Sequence, residues 1–223
     1  MTQLENELQA LKKELIQMWD LVYSQLDKAR MSLINFDQTL AREVIQKEKR
    51  INGYELKIDT DCENIFALHC PVAVDLRFVL AALKINYNLE RIGDYAEGIA
   101  RYVIALQTPF NENILKETQL LAMQDKAIHM LENARYAFEK EDFAKARTIF
   151  QQDETLDLIN KYAGNILLSF VENDIHYFQE ALYAHSIIQK SERIGDQITN
   201  IAGEIIFYLE AKVLKHRKEN TKN

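Results

Sequence analysis

Glu90 and Asp94 stand four residues apart, and the pair recurs as Glu192 and Asp196 inside an identical pentapeptide, Glu-Arg-Ile-Gly-Asp, at 90–94 and 192–196. On a helix, residues i and i+4 hold their Cβ atoms about 5–6 Å apart, so two carboxylates at that spacing can reach one ion. A second pair at the same spacing lies upstream in each copy, Glu48 with Asn52 and Asp153 with Asp157. If adjacent helices bring the pairs together, four oxygen-bearing side chains converge per copy, a donor set suited to hard and borderline divalent cations. The candidate metal ligands are therefore Glu48, Asn52, Glu90, Asp94, Asp153, Asp157, Glu192 and Asp196, with iron, zinc, manganese or magnesium as the ions in view. Clustered like charges repel, and a cation is the simplest relief.

One isolated Glu-x-x-x-Asp is usually a solvated helix face; the identical repetition is what singles this one out. Gly93 and Gly195 sit inside both motifs although glycine within a helix costs about 1 kcal/mol relative to alanine. The missing Cβ would let a neighbouring helix approach closely. Asn86, Glu97 and Arg101 share ~80° of arc with Glu90 and Asp94, centred ~140° from the apolar stripe, which predicts carboxylates turned outward from the bundle. Arg91 and Arg193 are expected to pair with them. Because Asn52 stands where the other copy has Asp157, the first set is expected to bind ions more weakly than the second.

The five histidines show no Glu-x-x-His or His-Glu-x-x-His spacing, which argues against a di-iron oxidase or a zinc peptidase. There is no phosphate-binding glycine loop, no nucleophile elbow and no Cys-x-x-Cys, so covalent catalysis and nucleotide hydrolysis have no visible machinery and the chain reads as a non-enzyme. A metal-dependent hydrolase using the acidic clusters, and a metal-free helical scaffold, remain open as alternatives.

The motifs belong to a longer repeat. Residues 37–48 match 142–153 at an offset of 105, and Met18 and Asp20 match Met123 and Asp125 at the same offset. The pentapeptide recurs at 102, which implies a three-residue deletion in the second copy. Pro109 marks the midpoint, since proline cannot continue a helix. Asp37, Asp142 and Asn173 or Asp174 offer N-caps, and Pro71 suits a first helical turn. Six helices are expected, near 3–33, 37–68, 71–107, 111–139, 142–171 and 174–216. The fold class is all-α, as two tandem three-helix bundles at 1–108 and 111–216 with a basic tail at 217–223. Ile85, Leu89, Ile92, Ala96, Ile99 and Val103 form one core stripe, and Ile187, Ile194, Ile198, Ile201 and Ile205 its counterpart.

Composition agrees with this reading. Six glycines and two prolines in 223 residues leave few turns, and a formal charge of −7 argues against a generic nucleic-acid binder. The longest apolar run, 78–83, is far below the ~18 residues of a membrane span. The N-terminus reads as an amphipathic helix and not as a signal peptide, so a cytoplasmic location is expected. Cys62 and Cys70 would lie ~12 Å apart on one helix, too far for a disulfide, and are expected as small buried thiols.

The stretch 71–86, running into 89–94, together with the recurrence at 192–196, resembles the most recognisable segment of the PhoU family, and the likeness spans about 4–212. The resemblance implies two three-helix bundles, metal clusters on the acidic motifs and a homodimer. It implies an accessory protein of phosphate transport and a negative regulator of phosphate metabolism in the starvation response. Its implied partners are the ATPase subunit of the phosphate ABC transporter and a phosphate-sensing histidine kinase, through which the protein would sit peripheral to the membrane.

Overall fold

The computed structural model describes residues 2–220, with side chains described as far as Glu210; the side chains of the basic tail 217–223 lie outside the described residues. The described residues form α1 (Gln3–Ile34), α2 (Gln38–His69), α3 (Ala73–Ala105), α4 (Glu112–Glu117), α5 (Leu120–Lys140), α6 (Phe143–Asn173), a 3₁₀ turn (Ile175–Tyr177) and α7 (Phe178–Asn220), with no strand among them. The all-α class and the repeated architecture hold.

Local chemistry sets the boundaries. Asp37 Oδ1 accepts from the backbone N–H of Thr39 and Leu40, and Asp142 Oδ1 from that of Lys145, satisfying donors that the first helical turn leaves free. Asp174 caps the 3₁₀ turn, not α7 itself. Three expectations need correction. The fourth helix is broken, because Gln119 takes a left-handed conformation (φ 55°) and the Thr118 hydroxyl donates to the Ile114 carbonyl. Ile114 and Leu120 on either side are both buried, so the break turns two apolar segments into one core. Pro71 does not open α3, which begins at Ala73. Cys70 is not buried: it caps α2 in a left-handed conformation (φ 44°) and is exposed, whereas Cys62 is buried with its thiol pushed up to about 12 by desolvation.

Both apolar stripes are completely buried. α1, α2 and α3 make one three-helix half and α5, α6 and α7 the other, with α3 packed lengthwise against α7 and α1 against α5. The α3–α7 seam is antiparallel, since Lys84 meets Glu204, Asn88 meets Asn200, Gly98 meets Lys190 and Tyr102 meets Tyr183. At one end of it Trp19, Phe78, Phe138 and Tyr208 stack together, and Trp19 Nε1 donates to the Leu131 carbonyl across the halves at 3.2 Å. Burying each such side chain stabilises by about 1.5–3 kcal/mol, and these four do so between the halves. The two bundles thus share one continuous core.

Candidate metal centre

In the first half, α2 and α3 bring Glu48, Glu90 and Asp94 together, with one carboxylate oxygen of each within 4.8 Å of the others. Gly93 makes this possible. A Cβ there would lie 3.1 Å from Gln25 Oε1 and Ile51 Cδ1 and 3.3 Å from Glu48 Oε2, so glycine admits α1 and α2 side chains against α3. Gln25 Nε2 donates to Glu48 Oε2 at 2.5 Å and to the Val44 carbonyl at 3.2 Å, fixing the carboxylate from behind. Glu48 is only 6% exposed, and Glu90 and Asp94, expected to face outward, are half-buried. The tight helix crossing turns the carboxylates into the α2–α3 groove.

That burial has an electrostatic cost. Desolvation first, then Asp94 and Glu55, push the Glu90 carboxyl up to about 7. Desolvation likewise raises Glu48, against the lowering effect of Gln25. Two unit charges 5 Å apart repel by about 3 kcal/mol at an effective dielectric near 20. Glu48 Oε1 is buried and has no hydrogen-bond partner among the described residues. A buried acceptor facing two other carboxylates, with none of its own donors, is the donor set a divalent cation fits.

Asn52, like its counterpart Asp157, is exposed. Glu55, one turn further along α2, lies outside the 4.8 Å group but near it, half-buried and raised by desolvation and then by Asp59 and Asp94. Asp59 is held by Asn86, whose Nδ2 donates to Asp59 Oδ1 at 2.8 Å and to the Glu55 carbonyl at 2.9 Å. Asn86 is wholly buried, tying α3 to α2, and not on an outward face as the helical wheel suggested. Glu55 and Asp59 share the i, i+4 spacing of the other pairs, which was the signal available for them.

In the second half Asp153 is half-buried under Gly195, where a Cβ would overlap Asp153 Oδ1 and lie 2.7 Å from Leu156 Cδ2. Desolvation, then Asp157, Asp196 and Glu192, push the Asp153 carboxyl up to about 6. Glu192 and Asp196 are raised too, each chiefly by burial. All four predicted residues therefore feel one another, although Asp157 is exposed and the set does not close to the 4.8 Å of the first. The offset of 105 pairs Glu55 with Asn160, so the halves trade places: Asn52 and Glu55 in one answer to Asp157 and Asn160 in the other. Counting Glu55 as a neighbour, each half carries four carboxylates around its second and third helices. Arg91 Nη1 pairs with Asp94 at 2.9 Å, whereas Arg193 stands 3.7 Å from both Glu192 and Asp196.

Two three-helix halves, each packing an acid of its second helix, Glu48 or Asp153, against a glycine of its third, define a duplicated helical protein with paired carboxylate clusters. The model of the PhoU domain matches residues 15–103 and 120–205, and the chain belongs to the PhoU family. It is 31% identical to the phosphate-specific transport system accessory protein PhoU of Escherichia coli K12, over 96% of this chain and 88% of that one. The same protein of Edwardsiella tarda is also 31% identical, covering 96% of this chain and 87% of its own length. Among solved structures, PhoU from Pseudomonas aeruginosa superposes with a TM-score of 0.89 at 31% identity, covering 93% of this chain and 99% of that one. The phosphate transport system regulatory protein PhoU from Streptococcus pneumoniae gives 0.83 at 31% identity, over 93% and 97%.

Proposed function

We propose that this chain is a cytoplasmic, non-catalytic accessory protein of phosphate transport that represses the phosphate-starvation response when phosphate is plentiful. The observation that carries this reading is full-length similarity, across both repeats, to proteins named as accessory to phosphate-specific transport. Its partners on this reading are the ATPase subunit of the phosphate ABC transporter and a phosphate-sensing histidine kinase, with a homodimer as the working unit. Among the described residues no helix is long and apolar enough to cross a membrane, in keeping with attachment through such partners.

On this reading each half holds a divalent or iron-type ion, through Glu48, Glu55, Glu90 and Asp94 in one and Asp153, Asp157, Glu192 and Asp196 in the other. A bound ion supplies the positive charge that these carboxylates otherwise lack and links the second helix of each half to the third. Gln25 orients Glu48, and the two glycines set the helix spacing.

The test is genetic and chemical. A deletion strain should express phosphate-starvation genes in phosphate-rich medium and take up phosphate abnormally; unchanged expression and uptake, in a strain without a second copy, would refute the regulatory reading. Elemental analysis of the purified protein tests the metal. The rival hydrolase requires metal-dependent release of phosphate from a phosphoester, and the adaptor reading expects none above that of the metal alone.

A further inference from the structure

A polar pocket of about 350 Å³ opens beside the α3–α7 seam, in the part of the second half next to Glu192. Lys190 crosses it. The lysine stem lies over Gly98 of α3, so close that a Cβ at 98 would stand 2.8 Å from Lys190 Cε and 3.0 Å from Nζ. Its ammonium lies 6.0 Å from the centre of the Tyr95 ring, and no carboxylate among the described residues is within ion-pair distance of it. Lys47 and Lys145 are also half-buried without an ion pair among the described residues, so it is the pocket around Lys190, and not its isolation, that sets it apart. Arg193 lines the same wall, held only at 3.7 Å from its acids, and so keeps guanidinium donors available. Asn160 and the two tyrosines, Tyr95 and Tyr102, add neutral donors, while the Ser186 hydroxyl donates to the Leu182 carbonyl at 2.9 Å.

The internal repeat provides a control for whether this pocket is a by-product of the fold. The seam has two related places, and in the other one Asn88 stands for Lys190 and Asn200 for Gly98, the two amides touching at 3.4 Å. There Lys84 stands for Ser186 and is paired with Glu204 at 2.9 Å, while Glu204 itself stands for Tyr102 and Glu55 for Asn160. Passing from that place to the pocket, two carboxylates become neutral donors, one amide becomes a lysine and one paired lysine becomes a serine. Glu192 and Arg193 answer to Glu90 and Arg91 and cancel. The pocket is thereby two charge units more positive than its mate, on an otherwise repeated frame. It pairs a point-charge ammonium with a forked guanidinium and hydroxyl donors, the set that binds tetrahedral oxyanions.

We propose that this pocket binds a phosphate-type oxyanion, either as inorganic phosphate or as the phosphoryl group of a small ligand. The site adjoins the second carboxylate centre, since Glu192 also lines the pocket and Arg193 is shared with Glu192 and Asp196, so the anion must seat on the Lys190 side, away from that carboxylate. Lys190 supplies the charge, Gly98 clears the path for its stem, and Arg193 with the hydroxyl and amide donors selects the anion. Its place beside Glu192 would let the occupancy of the two sites affect one another, an extension that rests on the metal reading above.

Isothermal titration of inorganic phosphate and of adenosine monophosphate into the full chain tests the proposal, on protein as purified and after dialysis against a chelator. The expected result is binding of at least one probe that survives the chelator. Which probe binds more tightly tells the free anion from the phosphoryl ester. Lys190→Gln should weaken binding at least tenfold, and Lys190→Arg should keep most of it. Gly98→Ala keeps every charge but pushes aside the far end of a flexible lysine, so it should fold normally and still weaken binding. No binding of either probe, or binding that Lys190→Gln leaves unchanged, overturns the site. Binding that disappears with the chelator and ignores Lys190→Gln places the anion on the metal, which overturns this inference and leaves the proposed function standing.

Discussion

Gly195 of α7 lies directly beneath Asp153 of α6, so that a Cβ on the glycine would overlap the Asp153 carboxylate and press on Leu156 at 2.7 Å. Gly93 stands under Glu48 with more room, its nearest neighbours at 3.1 to 3.3 Å. Alanine recovers about 1 kcal/mol of helix propensity at either position. At Gly195 the overlap should exceed that gain, since forcing atoms into a packed contact costs about 1–3 kcal/mol. Gly195→Ala should therefore lower Tm in scanning calorimetry while Gly93→Ala changes it little, and equal Tm values for Gly195→Ala and the parent would contradict the close approach.

Stability of the metal-free protein should fall as pH rises. The Glu90 carboxyl is pushed from 4.5 up to about 7 and that of Asp153 from 3.8 up to about 6, so between those limits the folded chain holds protons that the unfolded chain has released. By linkage, the slope of unfolding free energy with pH is then negative across that window and vanishes for these groups above about pH 7. Both groups are substantially solvated, which moderates the size of the effect. Urea titrations of chelator-treated protein at pH 5 and pH 8 should show the loss, and Glu90→Gln should flatten it. Manganese added at pH 8 should restore stability, because the ion takes the place of the protons.

Glu55, and not Asn52, should matter for metal in the first half. Asn52 is exposed, whereas Glu55 faces Glu90 and Asp94 across the helix crossing. Glu55→Gln should lower the affinity of that half several-fold by titration calorimetry with Asp153→Asn/Asp157→Asn as background. Asn52→Ala should leave it unchanged, and the reverse order would restore the simple repeat alignment as the better guide.

Unfolding should be a single transition despite the duplicated architecture. Trp19, the one tryptophan, is buried against Phe138 of the other half and hydrogen-bonded to its backbone. Its fluorescence should change together with helical circular dichroism along a urea gradient. Trp19→Phe deletes the donor to a buried carbonyl and should cost about 1–3 kcal/mol. Two separated transitions would show that the seam is weaker than its packing indicates.

The helices were legible because Ile85 to Val103 and Ile187 to Ile205 keep a helical period over many turns, and because Asp37 and Asp142 are strong caps. The break at Gln119 was not, since a left-handed glutamine carries no turn signature and is imposed by burying Ile114 and Leu120 together. The glycines announced a close helix approach, and that is what they permit. The alignment carried Asp157 back onto Asn52, while the nearness of Glu55 to Glu90 and Asp94 shows only once α2 and α3 are packed. Outward orientation failed for Asn86 because a single-helix wheel does not contain the neighbouring α2 that covers it. Lys190 drew no notice, as its isolation from acids depends on helices far apart in sequence.

The aromatic seam also limits how a signal can leave the molecule. Parting the halves would expose Trp19, Phe78, Phe138 and Tyr208 to water at once, a penalty no single ion or anion can meet by differential binding of ordinary size. Under the proposed function, parting of the halves is therefore not the output, and a change of surface potential is a less costly one. If the proposed ions and oxyanion bind, each divalent ion adds two positive charges to a formal charge of −7 and each oxyanion subtracts, so occupancy changes the potential of a surface whose halves stay together.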